Sequence, residues 1–214
     1  MSGAHTSRPG PPTIVWDVDD VLNDLMRRWL EDGWRATRPS CATTWEQVAE
    51  NPPHRLLDTS LDAYLDSLDE YRLAVAAALE PDPLVLDWFE RHGPNYRHSA
   101  LTAVPLSAAH VSAGWVMRHF GRWVRAFAVA PSTRASSARA SGDMSKADVV
   151  SWLGGADLFI DDNPRHVDAA RAAGATAVLV PRPWNGAPGT TASALAELTI
   201  AARAAAVRLA TRAT

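Results

Sequence analysis

The stretch WDVDDVLND, residues 16–24, follows Ile14-Val15 directly and sets Asp17, Asp19, Asp20 and Asp24 within eight positions. A β-branched pair after Pro11-Pro12 and before an acidic cluster predicts a strand over Ile14–Trp16. Asp17 and Asp19 stand at i and i+2, so on an extended segment both side chains point the same way and can address one reacting atom. Asp20 and Asp24 read more simply as the N-terminal turn of a helix, where carboxylates meet the positive end of the dipole.

From Asp24 onward the pattern turns helical. Leu25, Met26, Trp29 and Leu30 share one face. Thr43 and Glu46 have capping-box spacing for a second helix. A third is predicted from Thr59, with Leu61, Leu65 and Leu68 as its apolar stripe. After Pro81 and Pro83 helices and strands alternate. Helices are expected over Leu84–Arg91, Val111–Phe120, Lys146–Leu153 and Arg165–Ala173, and a last one from Ala192. Strands are expected over Tyr96–Thr102, Val124–Val129, Asp157–Ile160 and Thr176–Val180. Such alternation is the signature of a parallel sheet with helices on both faces. The fold class is therefore α/β: a three-layer, Rossmann-like parallel core with a small α-helical cap inserted after the first strand. Residues 13–23 and 81–214 form the core, 24–80 the cap and 1–12 a disordered tail. Ser132–Ser141 is a low-complexity loop.

In open α/β sheets ligands bind outside the carboxyl ends of the strands. The residues to inspect are then Asp17 and Asp19 after the first strand, Thr102 after the second, and Asp161-Asp162 after a later one, with Lys146 opening the helix before it. Four such carboxylates and one ammonium leave a net negative charge, and the carboxylates would repel one another by several kcal/mol in a partly dry pocket. An oxygen-only donor set without Cys or His calls for a hard cation, and Mg²⁺ fits best because it accepts one or two carboxylates plus a phosphate oxygen.

Bulk properties narrow the function. The chain has 214 residues, 21 Lys and Arg against 24 Asp and Glu, and a formal charge of -3. No long single-sign run suggests a nucleic acid polymer or a membrane as partner; a small molecule fits better. Cys41, the only cysteine, excludes an internal disulfide and is consistent with a reducing compartment. The first thirteen residues lack an apolar signal core, so the expected location is cytoplasmic. Oligomeric state is left open.

The order Asp17-Val18-Asp19-Asp20-Val21, Thr102 in SALTA, Lys146 in DMSKADVV and Asp161-Asp162 in LFIDDNP resembles the four ordered motifs of the haloacid dehalogenase superfamily, over about residues 13–181. The helical stretch 24–80 sits where that family carries its type 1 cap. The resemblance implies Asp17 as the nucleophile that forms an aspartyl-phosphate and Asp19 as general acid and base. It implies Mg²⁺ held by Asp17, the backbone carbonyl of Asp19 and Asp161, with Asp162 in support. Thr102 and the adjacent Ala103 would bind phosphate, and Lys146 would steady Asp17, with Arg134 or Arg139 as a substitute. An intact second aspartate is similar to the phosphatases rather than to the halide-displacing members. Asp20 departs from the glycine that many of those phosphatases carry. Pro183-Trp184-Asn185 is similar to the 5'-deoxyribonucleotidase branch and makes Trp184 and Asn185 candidates for substrate contact. The implied activity is Mg²⁺-dependent hydrolysis of a small phosphomonoester, a nucleoside monophosphate or else a sugar phosphate or biosynthetic intermediate. A noncatalytic phosphate-binding or regulatory protein is the alternative, against which Asp19 speaks. Trp29 and Trp34 read as packing first and substrate contacts second, and His98 and His166 as surface or supporting residues.

Overall fold

The computed structural model describes residues 10–132 and 144–211. The first nine residues of the expected tail and most of the Ser132–Ser141 loop, including Arg134 and Arg139, lie outside the described residues.

Five parallel strands form one sheet in the order β3-β2-β1-β4-β5: β1 (Thr13–Trp16), β2 (Arg97–Thr102), β3 (Val124–Val129), β4 (Leu158–Asp161) and β5 (Thr176–Leu179). β1 is central, and Ile14, Val15 and Trp16 are buried on both faces. That explains the unbroken apolar run, since a strand covered on both sides has no solvent face to alternate toward. Ile14, Trp16, Ile160 and Val178 join a layer containing helices α4 (Pro83–His92), α5 (Leu106–Phe120) and α8 (Thr191–Thr211). Val15, Leu101, Phe159 and Ala177 join the opposite layer with α6 (Lys146–Trp152) and α7 (Pro164–Ala172). The result is the expected three-layer α/β/α arrangement.

Between β1 and α4 the chain contains no strand and alternates helical segments with turns, so the helices fill less of residues 24–80 than expected. α1 (Leu25–Arg28) runs through a wider π-helical turn, Trp29–Trp34, into α2 (Arg35–Thr37). Leu25, Met26, Trp29 and Leu30 are all buried, as their spacing demands. The expected second helix is a single 3-10 turn, Trp45–Gln47, and its cap lies one residue later than Thr43/Glu46: Gln47 Oε1 accepts from the Thr44 N–H at 2.9 Å. Pro52 and Pro53 follow closely, and a residue before proline is steered away from helix. α3 (Leu61–Val75) is capped by Ser60, which accepts from Ala63 N. Its inward face is Tyr64, Leu68 and Arg72 rather than a leucine stripe, and Leu61 is exposed. α3 packs against α5 and the π-helical turn, where a Cβ on Gly33 would meet the Tyr71 ring at 2.8 Å.

Capping chemistry accounts for several boundaries. Asp82 accepts from Leu84 N and Val85 N, with Pro83 in the first turn of α4. Ser145 accepts from Asp148 N and thereby fixes Lys146 as the first residue of α6. Asn163 accepts from Arg165 N at the start of α7. α5 begins at Leu106, five residues before its expected start, because Pro105 is compatible with the position ahead of a helix. Among the described residues no helix is long and apolar enough to cross a membrane.

Candidate active site

The carboxyl ends of β1, β2 and β4 open into one cavity of about 170 Å³. Asp17 is placed there by the sheet itself: its N–H donates to Ile160 O at 2.9 Å, one bond beyond the β1/β4 ladder. Lys146 Nζ, from the first residue of α6, lies 2.6 Å from Asp17 Oδ1 and 2.8 Å from Asp161 Oδ2. All three side chains are nearly or fully buried. Burial alone would push the Lys146 ammonium toward neutrality, but Asp161 and Asp17 outweigh it and hold the lysine charged. The sequence thus brings together residues up to 144 positions apart, and among the described residues Lys146 is the cation that meets Asp17.

Asp17, Asp161 and Asp162 each offer one oxygen, and these oxygens lie within 4.8 Å of one another. Burial pushes Asp17 up to about 6, with Asp161 adding to the rise and Lys146 pulling against it. Burial, then Asp161, Asp17 and Asp20, push Asp162 well above the carboxylate range. Asp161 moves the other way: burial opposes ionisation, yet Lys146 and His166 hold it ionised. Crowded, dry, oxygen-only donors, two of which resist ionisation, suit a hard divalent cation.

The carboxylate of Asp19 stands apart from that trio. It is 21 % exposed and faces Arg72, whose Nη2 lies 3.1 Å from Asp19 Oδ2. Asp20 has φ 61°, a left-handed conformation that Gly takes freely and Asp tolerates better than most residues. This conformation explains how aspartate stands where glycine is the common choice. Its Oδ1 accepts from Met26 N at 2.9 Å, and its carbonyl accepts from Arg182 Nε at 2.8 Å, so it does serve the first turn of α1. Asp24 makes no side-chain cap bond; Asn23 Oδ1 takes the Leu25 and Asp20 N–H groups in its place.

Thr102 and Ala103 line the cavity together with Asp17, Asp19, Asp20, Lys146, Asp162, Asn163 and His166. Leu25, Met26, Asn51, Tyr64, Leu68 and Arg72 close it from the helical segment. Trp184 and Asn185 reach Asp162 rather than the cavity wall. Trp184 Nε1 donates to Asp162 Oδ2 at 2.9 Å, and Asn185 Nδ2 donates to Asp162 O and Val180 O at 2.8 Å each. Both side chains therefore hold Asp162, the indole at its carboxylate and the amide at its backbone carbonyl. Trp29 and Trp34 are buried in the core, with Trp29 donating to Ser67 Oγ.

The two histidines part company. His166 lines the cavity with Nδ1 3.2 Å from Asp161 Oδ2. His98 is fully enclosed beneath the other end of the sheet, between Trp16 Nε1 and Gly93 O, and is neither a surface nor a supporting residue of the site. Sequence reasoning missed Arg72, Asn51 and Tyr64. Arg72 had one available signal, its place four residues after Leu68 on the inward face of α3.

No family model matches the sequence, and no curated protein matches it. Solved structures do match. Mycobacterium tuberculosis Protein Tyrosine Kinase A is 17% identical with a TM-score of 0.58, covering 88% of this chain and 98% of its own. A haloacid dehalogenase-like family hydrolase from Xanthomonas campestris is 12% identical with a TM-score of 0.53, covering 92% and 98%. A hydrolase from Streptococcus pneumoniae TIGR4 is 14% identical with a TM-score of 0.53, covering 80% and 94%. At these identities the likeness is one of architecture, and it agrees with the parallel sheet. The chain has the fold of the haloacid dehalogenase-like hydrolases.

Proposed function

We propose that this protein is a Mg²⁺-dependent phosphomonoesterase acting on a small phosphorylated metabolite through an aspartyl-phosphate on Asp17. The observation that carries the reading is the trio Asp17, Asp161 and Asp162 with Lys146 bridging two of its members at the floor of a cavity. Asp17, Asp161, Asp162 and the backbone carbonyl of Asp19 would hold Mg²⁺. Bound there, the ion supplies positive charge for the phosphoryl oxygens.

The chain's own groups then divide the work. Asp17 attacks phosphorus, the bond from phosphorus to the ester oxygen breaks, and Asp19 gives that oxygen its proton. In the second step Asp19 takes a proton from water as the water attacks the aspartyl-phosphate, and inorganic phosphate leaves. Lys146 keeps Asp17 oriented and offsets charge as the phosphoryl group arrives. Thr102 and Ala103 hold phosphoryl oxygens. Residues 24–80 act as the cap that closes over the leaving group and excludes water. Leu25, Met26, Tyr64 and Leu68 give that end of the cavity an apolar wall, which supports a leaving group with a flat, weakly polar face such as a nucleoside.

Phosphate release from a panel of nucleoside monophosphates, sugar phosphates and other phosphorylated metabolites, with Mg²⁺ and with chelator, tests the reading. Mg²⁺-dependent turnover of at least one member is expected. Binding of phosphate esters without turnover of any member would favour the noncatalytic alternative.

A further inference from the structure

Arg72 is an unusual residue to find on the inward face of α3. Its side chain is 9 % exposed, on a helix separated from Asp19 by 53 positions. Nη2 reaches Asp19 Oδ2 at 3.1 Å, and Nη1 pairs with Asp69 one turn back on the same helix. Its Nε is buried without an acceptor among the described residues. Burying a guanidinium is costly unless carboxylates face it, and here two do; both hold it charged against the effect of burial.

Asp69 grips the guanidinium from its own helix, so α3 carries a pre-aimed fork whose other end meets Asp19. Apart from that fork, the Asp19 carboxylate has one further polar contact among the described residues, Asn23 Nδ2 at 3.5 Å, which is at the limit of a hydrogen bond. The direction of the Asp19 side chain is therefore set across the seam between α3 and the loop after β1. A guanidinium suits the task because its planar donors are fixed relative to one another.

We propose that Arg72 is a positioning residue: through its ion pair with Asp19, the helical segment over the site decides where the proposed acid and base stands relative to Asp17. This rests on the role assigned to Asp19 above. Placement of Asp19 and docking of α3 are then one event, and a site whose α3 is displaced has an intact Asp17 but an unaimed proton donor. A purely structural Arg72 would rivet α3 to the core and affect folding alone.

The test uses the full chain with Arg72→Met, Arg72→Lys and Asp19→Asn, and p-nitrophenyl phosphate alongside an alkyl phosphate that the panel identifies as a substrate. p-Nitrophenolate leaves readily without a proton, whereas an alkoxide needs one. Arg72→Met is expected to lower kcat/KM for the alkyl ester by about 10- to 100-fold, the scale of a misplaced catalytic group, and to lower it much less for p-nitrophenyl phosphate. Asp19→Asn should give the same leaving-group signature, and Arg72→Lys should restore part of the loss. In the Asp19→Asn background, Arg72→Met should change kcat/KM for either ester by less than about twofold, because the two residues act as a unit. Equal losses on both esters, or the same loss with and without Asp19, would overturn the proposal. If Arg72→Met does not fold, Arg72→Lys carries the test, and a loss on it without the leaving-group signature overturns the proposal equally. Failure of the underlying reading is distinguishable: an Asp19→Asn protein as active as wild type on the alkyl ester removes the acid assignment and the proposal with it.

Discussion

Acidification should destabilise this protein through His98. His98 Nδ1 lies 3.0 Å from Trp16 Nε1, and an indole nitrogen can only donate, so Nδ1 must be unprotonated. Nε2 carries the proton and donates to Gly93 O at 2.9 Å. Both ring nitrogens are spoken for, and a second proton would set N–H against N–H beside a fully buried tryptophan. Burial pushes His98 down from 6.5 to about 4, the Gly93 carbonyl partly resisting. The folded value lies below the unfolded one, so the stabilisation is complete above about pH 6.5, is lost as pH falls and changes no further below about pH 4. At 1.36 kcal/mol per unit the whole effect is about 3 kcal/mol, of which about 2 kcal/mol is gone by pH 5. Urea unfolding followed by intrinsic fluorescence, for which nine tryptophans give ample signal, measures it in wild type and in His98→Gln. The gap between the two proteins should shrink by about 2 kcal/mol from pH 8 to pH 5, while groups common to both cancel. A constant gap would refute the assigned tautomer and the burial argument together.

Three further outcomes follow from the site. Lys146→Met leaves Asp17 and Asp161 facing each other in a dry pocket without their shared cation; a loss of about 3–5 kcal/mol in urea titrations is expected, together with loss of phosphate release. Trp184→Phe keeps the ring but removes the indole N–H from Asp162 Oδ2, so the Mg²⁺ concentration giving half-maximal activity should rise about 10- to 100-fold, the usual scale for loss of a ligand's supporting hydrogen bond. At φ 61°, Asp20→Val should cost about 2 kcal/mol in backbone conformation alone and lose the bond to Met26 N as well, whereas Asp20→Asn should lie close to wild type; thermal unfolding ranks the two.

What could be read before the structure was seen was mainly what adjacent residues decide. Apolar runs bounded by Pro, Gly and Asp marked the strands, and the aspartates ending the runs of β1 and β4 marked the active edge, because in a parallel sheet that edge is where charge can meet a ligand. The expected bounds of α4, α6 and α7 fall within a residue or two of the observed ones. The parts that stayed hidden depend on contacts between distant segments. Arg72 interrupts an inward-facing helical stripe, and a charged residue in such a place normally signals solvent; Asp69 is its neighbour on the same helix, but the pairing with Asp19 becomes visible only after folding. Trp184 and Asn185 were rightly drawn to the carboxyl edge by their position after β5, but nothing local distinguishes a residue that touches substrate from one that braces Asp162. His98 follows the same rule, since its neighbours in sequence give no hint of Trp16 across the strand pair.

The central claim is that Asp17 becomes phosphorylated. Acid quenching of a single turnover followed by borohydride reduction converts an aspartyl-phosphate to homoserine, which mass spectrometry locates in the peptide. Homoserine at position 17 in wild type, none in Asp17→Asn, and loss of phosphate release in that variant is the expected result. Turnover by Asp17→Asn at the wild-type rate, or a modified residue elsewhere with position 17 untouched, would contradict it.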